Sequence, residues 1–296
     1  MVKNVLVIGA ASLLGDRLVK TCMNGSSVYY TVNRIDIDIH GAVKKEMDIT
    51  NAAQVQNVFS DIKPDIAVLV AAYAEVDKCE KNKELAWKIN VEGVEHVLKA
   101  CAHHGTKLVY ISTDALFDGT KSTPYLEDDI PNPPNFYALT KQEAEKIVLG
   151  NPENLVCRVS TLYGKRAPHH RQNVIMWMVE TMQAGKQIEL FEDRYANPTF
   201  ADEAARVITE ITMRNGHGIF HTAGRDCVSR VQLGMLIADV FELNKELIVP
   251  VKSRDYQEIK RGLHSCVSVE KAEKFIGRRI QTLRESLIEL KAQLTS

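Results

Sequence analysis

Continuous apolar runs of strand length alternate with amphipathic stretches along the chain as far as Val159. Val5 to Ile8 is the first such run, and the small-residue turn Gly9-Ala-Ala-Ser-Leu-Leu-Gly15 leads from it into a helical pattern reaching about Met23. Further strands are expected at 28–32, 66–70, 107–111 and 155–159. The helices between them are expected from Thr50, as cap, through Phe59, at 84–104 with Gly105 as the stop, and at 135–149 ending at Gly150. Strands that read as unbroken apolar runs are buried on both faces, and their alternation with helices points to an α/β fold, a Rossmann-like doubly wound parallel sheet.

After Gly164 the rhythm changes. The basic segment 165–171 leads into a helix at 174–184, and shorter elements follow, among them helices at 201–214, 230–241 and 283–294. This pattern predicts a dinucleotide-binding domain over 1–164 and a smaller C-terminal α/β substrate lobe over 165–296, with helix 201–214 packing back on the first domain. In open α/β sheets, ligands bind beyond the carboxyl ends of the strands.

With 296 residues, 45% of them hydrophobic, the chain can bury a sizeable core, and its net charge of −1 gives no electrostatic footprint for nucleic acid or an acidic membrane. The first apolar strand follows Met1 almost directly, and no apolar run approaches the roughly 20 residues of a membrane span, so a cytoplasmic protein is expected. The six cysteines are scattered without C-x-x-C spacing, so neither a disulfide framework nor a zinc site is expected. His103-His104 suits a helix C-terminus better than a metal.

Candidate chemistry begins at the first turn. A helix N-terminus after a strand offers N–H groups and a positive dipole end to a pyrophosphate. Gly9 permits the tight turn and Gly15 the close approach of helix to sheet; Ala11, Leu13 and Leu14 complete the loop. Ser12 takes the middle position as a small residue able to hydrogen-bond phosphate. At the tip of the second strand, Asn33-Arg34 replaces the usual carboxylate with a guanidinium suited to a 2′-phosphate, which favours NADPH; NADH remains open, with Asp36 or Asp38 as ribose ligand if the strand runs on. Asp48-Ile49 is expected beside the adenine, and Ala71-Ala72-Tyr73 where the cofactor passes the backbone.

Tyr137-Ala-Leu-Thr-Lys141 places a phenol and an ammonium at i and i+4, on one helical face. A neighbouring positive charge lowers a tyrosine pKa. Thr113, at the end of the preceding strand, adds a hydroxyl for a bound carbonyl. His169-His170-Arg171 with Arg166 either faces a nucleotide diphosphate or forms a solvated loop. Trp87 and Trp177 are expected to pack rather than stack on bases.

With these residues in place the chain resembles the dTDP-4-dehydrorhamnose reductases of the extended short-chain dehydrogenase/reductases over nearly its whole length. The resemblance rests on Ala71-Ala-Tyr-Ala-Glu-Val-Asp-Lys78, Asn90-Val91, Ile111-Ser-Thr-Asp-Ala-Leu-Phe-Asp-Gly119, Pro124-Tyr125 with Glu127-Asp128, and Asn132-Pro133. It continues through Tyr137 to Lys141, Arg158-Val-Ser-Thr-Leu-Tyr-Gly164 and Asn197-Pro-Thr199. It implies that Thr113, Tyr137 and Lys141 are catalytic, that Lys141 also holds the nicotinamide ribose, and that Asn90 orients the lysine through water. Hydride would then pass from NADPH to C4 of a nucleotide-linked 4-keto-6-deoxy sugar, with Tyr137 as proton donor. Substrate contacts are expected from Val76, Asp77, Asp114, Ala115, Asn173 and Arg261. A homodimer through the long helices would follow the superfamily.

Three positions depart from the family pattern: Ala115 stands where a tyrosine is usual, Arg261-Gly262 where Arg-Pro is usual, and Ser12 where the turn usually has glycine. Two other functions share the scaffold. A nucleotide-sugar epimerase or dehydratase keeps NAD bound, and a dehydratase needs a second carboxylate where Ala115 stands. The regulatory subunit of some methionine adenosyltransferases is also similar, in Asp118-Gly119-Thr120 and Leu162-Tyr163-Gly164.

Overall fold

The computed structural model describes residues 2–253 and 262–295. Seven strands form one parallel sheet: β1 (Lys3–Ile8), β2 (Ser26–Val32), β3 (Val43–Glu46), β4 (Ile66–Leu69), β5 (Lys107–Thr113), β6 (Leu155–Val159) and, far along the chain, β11 (Gly218–His221). Their spatial order is β11-β6-β5-β4-β1-β2-β3, so the direction of winding reverses between β1 and β4. That reversal opens the crevice where α/β sheets take ligands. The expected doubly wound Rossmann-like sheet is present.

Side chains alternate across the sheet. Val5 and Val7 face one layer with Val28, Tyr30, Val68, Val109, Leu155 and Cys157. The helices α1 (Leu13–Cys22), α8 (Ala201–Met213) and α10 (Glu270–Ile276) cover that face. Leu6 and Ile8 face the other layer with Ala67, Leu69, Leu108, Tyr110 and Val156. There α2 (Ala52–Ile62), α5 (Gly93–His104) and α6 (Phe136–Val148) close the core. A third cluster holds the smaller lobe together: α7 (Val174–Gln183), α9 (Arg230–Phe241) and α11 (Leu283–Thr295) pack around Tyr163, Ile188, Leu190 and Phe200. Short pairs complete it, β7 (Leu162–Tyr163) with β10 (Thr199–Phe200), β9 (Tyr195–Ala196) with β12 (Val228–Ser229), and β8 (Ile188–Phe191) with β13 (Ile248–Val251). The chain thus leaves the sheet after β6 and returns to it twice, through α8 with β11 and again through α10.

Several local expectations shift. Helix α2 is capped by Asn51, which accepts from the N–H groups of Ala53 and Gln54, because Asp48 already engages the N–H and hydroxyl of Thr50. The stretch expected as one helix at 84–104 is divided into α4 (Lys83–Trp87), a π-helical turn (Lys88–Glu92) and α5; α3 (Val76–Lys81) precedes them. The cysteine reading is corrected: Cys227 and Cys266, 39 residues apart, form a disulfide with Cα atoms 5.6 Å from each other. Sequence spacing carried no sign of it because a parallel bridge between Tyr195 and His264 brings the second segment across. Among the described residues no helix is long and apolar enough to cross a membrane.

A buried ion pair fixes α6 to the sheet. Arg158 on β6 donates through Nε to Glu145 Oε1 at 2.9 Å and through Nη2 to Oε2 at 2.7 Å. Both side chains are almost fully buried, and Phe117 lies under the guanidinium. Such a fork is costly to break from one side, since the remaining charge stays buried. Glu145→Ala is expected to lower stability by about 3–5 kcal/mol in urea unfolding, with the Glu145→Ala/Arg158→Met double variant recovering most of the loss. A single-variant loss below about 1 kcal/mol, the range of a surface pair, would contradict this account.

Candidate functional site

The turn between β1 and α1 is built by close contacts. Gly9 has φ +96°, and a Cβ there would lie 2.7 Å from the Ala71 nitrogen; a Cβ on Gly15 would lie 2.3 Å from the Gly9 oxygen. The switch-point crevice is therefore lined by backbone, and the first turn of α1 opens onto it with N–H groups that helical geometry leaves without intrahelical partners. Ser12 is the N-cap: its hydroxyl donates to the Gly9 carbonyl at 2.9 Å and accepts from the Gly15 N–H at 3.1 Å. The hydroxyl expected to be available for phosphate is thus engaged in holding the turn. Ala11, Leu13 and Leu14 follow the same path, Leu14 being buried.

Asn33 and Arg34 are exposed beyond β2. Burial raises the Asp48 carboxyl, but the bonds it accepts from the Thr50 N–H and hydroxyl, helped by Asn33 and Arg34 nearby, hold it below its usual range. Ile49 is buried behind Asp48. The two alternatives to Arg34 are occupied, Asp36 by Lys44 at 2.9 Å and Asp38 by the Tyr30 phenol at 3.3 Å. Beyond β4, Ala71 abuts Gly9 and Ala72 follows it. The Tyr73 N–H donates to Asn90 Oδ1 at 2.8 Å, while Asn90 Nδ2 donates to the Tyr73 carbonyl and the Thr140 hydroxyl, both at 3.0 Å. Asn90 therefore ties the β4 loop to α6 at the neighbour of Lys141, with its amide fully used in direct bonds.

At the carboxyl end of β5, the Thr113 hydroxyl accepts from the Ala115 N–H at 3.1 Å and lies near enough to the Tyr137 phenol to act on its titration. Lys141, buried, donates to the Ile111 carbonyl at 2.8 Å and stands 4.0 Å from the centre of the Tyr110 ring. Asn135 begins α6 two residues before Tyr137 and caps it, accepting from the Ala138 N–H. The expected lowering of the Tyr137 phenol is not found: burial dominates both groups, pushing the phenol well up and the Lys141 ammonium down to about 7. A phenol in that state keeps its proton at neutral pH and is equipped to give it away. Asp114, directly after Thr113, is buried and raised by desolvation while accepting from Ser160 at 2.7 Å and Ser265 at 3.0 Å.

A cavity of about 180 Å³ opens beside this trio, lined by Val76, Asp114, Ala115, Asn135, Arg194 and Arg230 among others. Val76, Asp114 and Ala115 were expected there. Asp77 is exposed at the start of α3 and is not among its lining residues. Asn173 caps α7, accepting from the Met176 N–H and donating to the Gly164 carbonyl. Arg261 lies outside the described residues. Sequence reasoning missed Arg194, Tyr195, Arg230 and Ser265, which reach the cavity only because the smaller lobe folds over it. Arg171 pairs with Glu75 at 2.7 Å and Arg166 with Glu180 at 3.5 Å, so this basic segment is neutralised locally. A larger groove of about 480 Å³ between α1, α8 and α11 holds Arg17 and Arg206, both ion-paired, and lies away from Thr113.

Sheet order, backbone-lined crevice and hydroxyl–phenol–ammonium set together define a Rossmann-type protein of the short-chain dehydrogenase/reductase kind. The RmlD substrate binding domain family matches residues 3–296, and the chain belongs to that family. It is 29% identical to a dTDP-4-dehydrorhamnose reductase of Aggregatibacter actinomycetemcomitans, over 92% of this chain and 93% of that protein. It is 31% identical to methionine adenosyltransferase 2 subunit beta of Xenopus tropicalis, over 81% of this chain and 75% of that one. Among solved structures, a dTDP-4-dehydrorhamnose reductase of Bacillus anthracis in complex with NADP superposes with a TM-score of 0.85 at 25% identity, covering 99% of this chain and all of the other.

The Lys141 shift has a stability consequence. Below about 7 the folded chain bears the cost of a buried charge in full; between about 7 and 10.5 the unfolded chain binds the extra proton, so stability rises with pH. Wild-type stability relative to Lys141→Met is expected to climb through that window, approaching about 1.4 kcal/mol per pH unit. Urea unfolding of both proteins from neutral to alkaline pH measures it, and parallel curves would show that the ammonium is not desolvated.

Proposed function

We propose that this chain is an NADPH-dependent reductase of the C4 keto group of a nucleotide-linked 6-deoxy sugar, taking dTDP-4-dehydro-L-rhamnose to dTDP-L-rhamnose. The observation that carries the reading is the Tyr137 phenol beside Thr113, which directly precedes the cavity-lining Asp114 and Ala115, with Lys141 buried one turn further along α6. The relatives named as reductases of such sugars supply the substrate class.

The residues fit a dinucleotide. Gly9 and Gly15 let the turn close tightly on Ala71 and on the sheet, where a Cβ would clash, and so set the α1 N-terminus with its N–H groups at the crevice for a pyrophosphate. Asn33 and Arg34 hold the adenosine ribose and its 2′-phosphate, Asp48 and Ile49 border the adenine, and Ala72, Tyr73 and Asn90 shape the floor towards the nicotinamide. When bound, the cofactor supplies the hydride. Tyr137 presents its proton to the carbonyl oxygen and Thr113 hydrogen-bonds the same atom, so both stabilise charge as it develops. Lys141 holds the nicotinamide ribose through its ammonium. Val76, Asp114 and Ala115 border the sugar, and Arg194 and Arg230 offer guanidinium groups for a diphosphate.

A dehydratase has no support at this site, because Ala115 occupies the cavity wall where a second carboxylate would be needed. A regulatory role is favoured by one observation, the similarity to methionine adenosyltransferase 2 subunit beta.

Mixing the chain with dTDP-4-dehydro-L-rhamnose and following NADPH absorbance is expected to show oxidation by the wild type. Tyr137→Phe should lower kcat about 10²–10⁴-fold while leaving NADPH affinity intact. Near-normal turnover by that variant would remove Tyr137 from the chemistry; absence of wild-type turnover together with capture of a methionine adenosyltransferase would favour the regulatory role. Arg34→Ala is expected to raise the KM for NADPH about tenfold and leave that for NADH little changed, as loss of one charge-assisted phosphate contact does. Equal effects on both cofactors would refute the 2′-phosphate assignment.

A further inference from the structure

One group of metal-ligating side chains is gathered outside the proposed reaction centre. Cys227, just before β12, and the pair His264 and Cys266 offer two sulfurs and an imidazole nitrogen that lie within 4.8 Å of one another. His264 and Cys266 are two residues apart in a segment that bridges Tyr195 in parallel fashion, so extended geometry turns their side chains the same way. In the closed state the two sulfurs are bonded to each other; once that bond opens, the ligand atoms need only part to the roughly 3.5–4 Å expected around tetrahedral zinc, given Zn–S near 2.3 Å and Zn–N near 2.0 Å. His264 Nδ1 is buried with no hydrogen-bond partner. A buried ring nitrogen in that state costs free energy unless something binds it. The Tyr195 ring lies against the imidazole, 4.9 Å between centroids, and restrains its plane.

We propose that Cys227, His264 and Cys266 form a redox-gated site for a soft divalent cation, zinc by its ligand chemistry: a closed disulfide when oxidised, a metal site when reduced. A dithiol reductant delivers two electrons and two protons to the Cys227–Cys266 bond, which opens to two thiols while the reductant becomes a disulfide. Zinc then displaces both thiol protons and takes the neutral His264 nitrogen as a third ligand, with water as the fourth. The remaining cysteines, Cys22, Cys79, Cys101 and Cys157, are buried elsewhere and take no part.

The position of the site gives the gate a mechanical effect. Ser265 lies between the two ligands, donates to Asp114 Oδ2 at 3.0 Å and lines the cavity with Gly262 and Tyr195. Parting the sulfurs around a metal shifts the strand that forms this wall, so the oxidised and metal-bound states present different cavities. Metal binding itself needs nothing from the proposed keto-sugar reductase activity, and its test does not use turnover.

The experiment compares oxidised chain with chain reduced by a phosphine and desalted, each titrated with zinc alone against a chromophoric chelator. One zinc per reduced chain is expected, and none for the oxidised chain. Cys227→Ser should abolish uptake, and His264→Gln should weaken it by about tenfold or more. In reduced wild type, which needs no variant to fold, zinc should protect Cys227 and Cys266 from iodoacetamide while labelling of the other four cysteines stays unchanged. Equal uptake by oxidised and reduced chain, uptake unaffected by Cys227→Ser, no uptake by the reduced chain, or no protection of the two thiols overturns the proposal.

Discussion

The site depends on charge buried beneath α6. The Arg158–Glu145 fork joins that helix to β6, and four residues before Glu145 the same helix carries Lys141, whose ammonium reaches a carbonyl of β5. Low local dielectric makes each of these contacts strong and each unpaired alternative costly. Helix α6 is therefore held in one rotation relative to the sheet, and Tyr137 has little freedom but to meet Thr113. The same desolvation keeps the phenol protonated and the ammonium close to losing its proton. Position and protonation state thus have one physical origin.

On the opposite side of the crevice the constraint is steric. Ala71 sits where any side chain on Gly9 would go, and the Gly9 carbonyl sits where one on Gly15 would go. Two strands and a helix converge so closely that only backbone can line the turn. Asn90 joins the two halves, since its amide reaches both the β4 loop and Thr140 on α6. The π-helical turn that presents it adds a residue to the helical register at that point.

Much of this was legible in the sequence, and the reasons it stopped are physical. Buried parallel strands announce themselves as apolar runs, so β1, β2, β4, β5 and β6 could be read directly, as could α6 with its i, i+4 pair. Strand β3 is an edge strand of mixed polarity, and its pattern carries no such signal. The division of the long helix by a π turn is invisible to a 3.6-residue period. Protonation was misjudged at Tyr137 because spacing reveals a neighbouring charge and not the loss of water around it. Arg194, Arg230 and Ser265 belong to segments whose arrival at the cavity is decided by tertiary contact alone, and the Cys227–Cys266 bond has the same origin.

The sheet order also bears on how the chain comes to be folded. Strand β11 pairs with β6, yet the segment that follows β6 first builds β7, α7 and the short strands, and then α8, before β11 appears. During synthesis the β6 edge therefore stays open until residue 221 has emerged, with the Arg158 side chain still lacking its His221 neighbour. An unpaired hydrophobic edge is a template for misassociation. Completion of the cavity wall and closure of the exposed edge are thus late events in the chain, and a product truncated before β11 would leave that edge open.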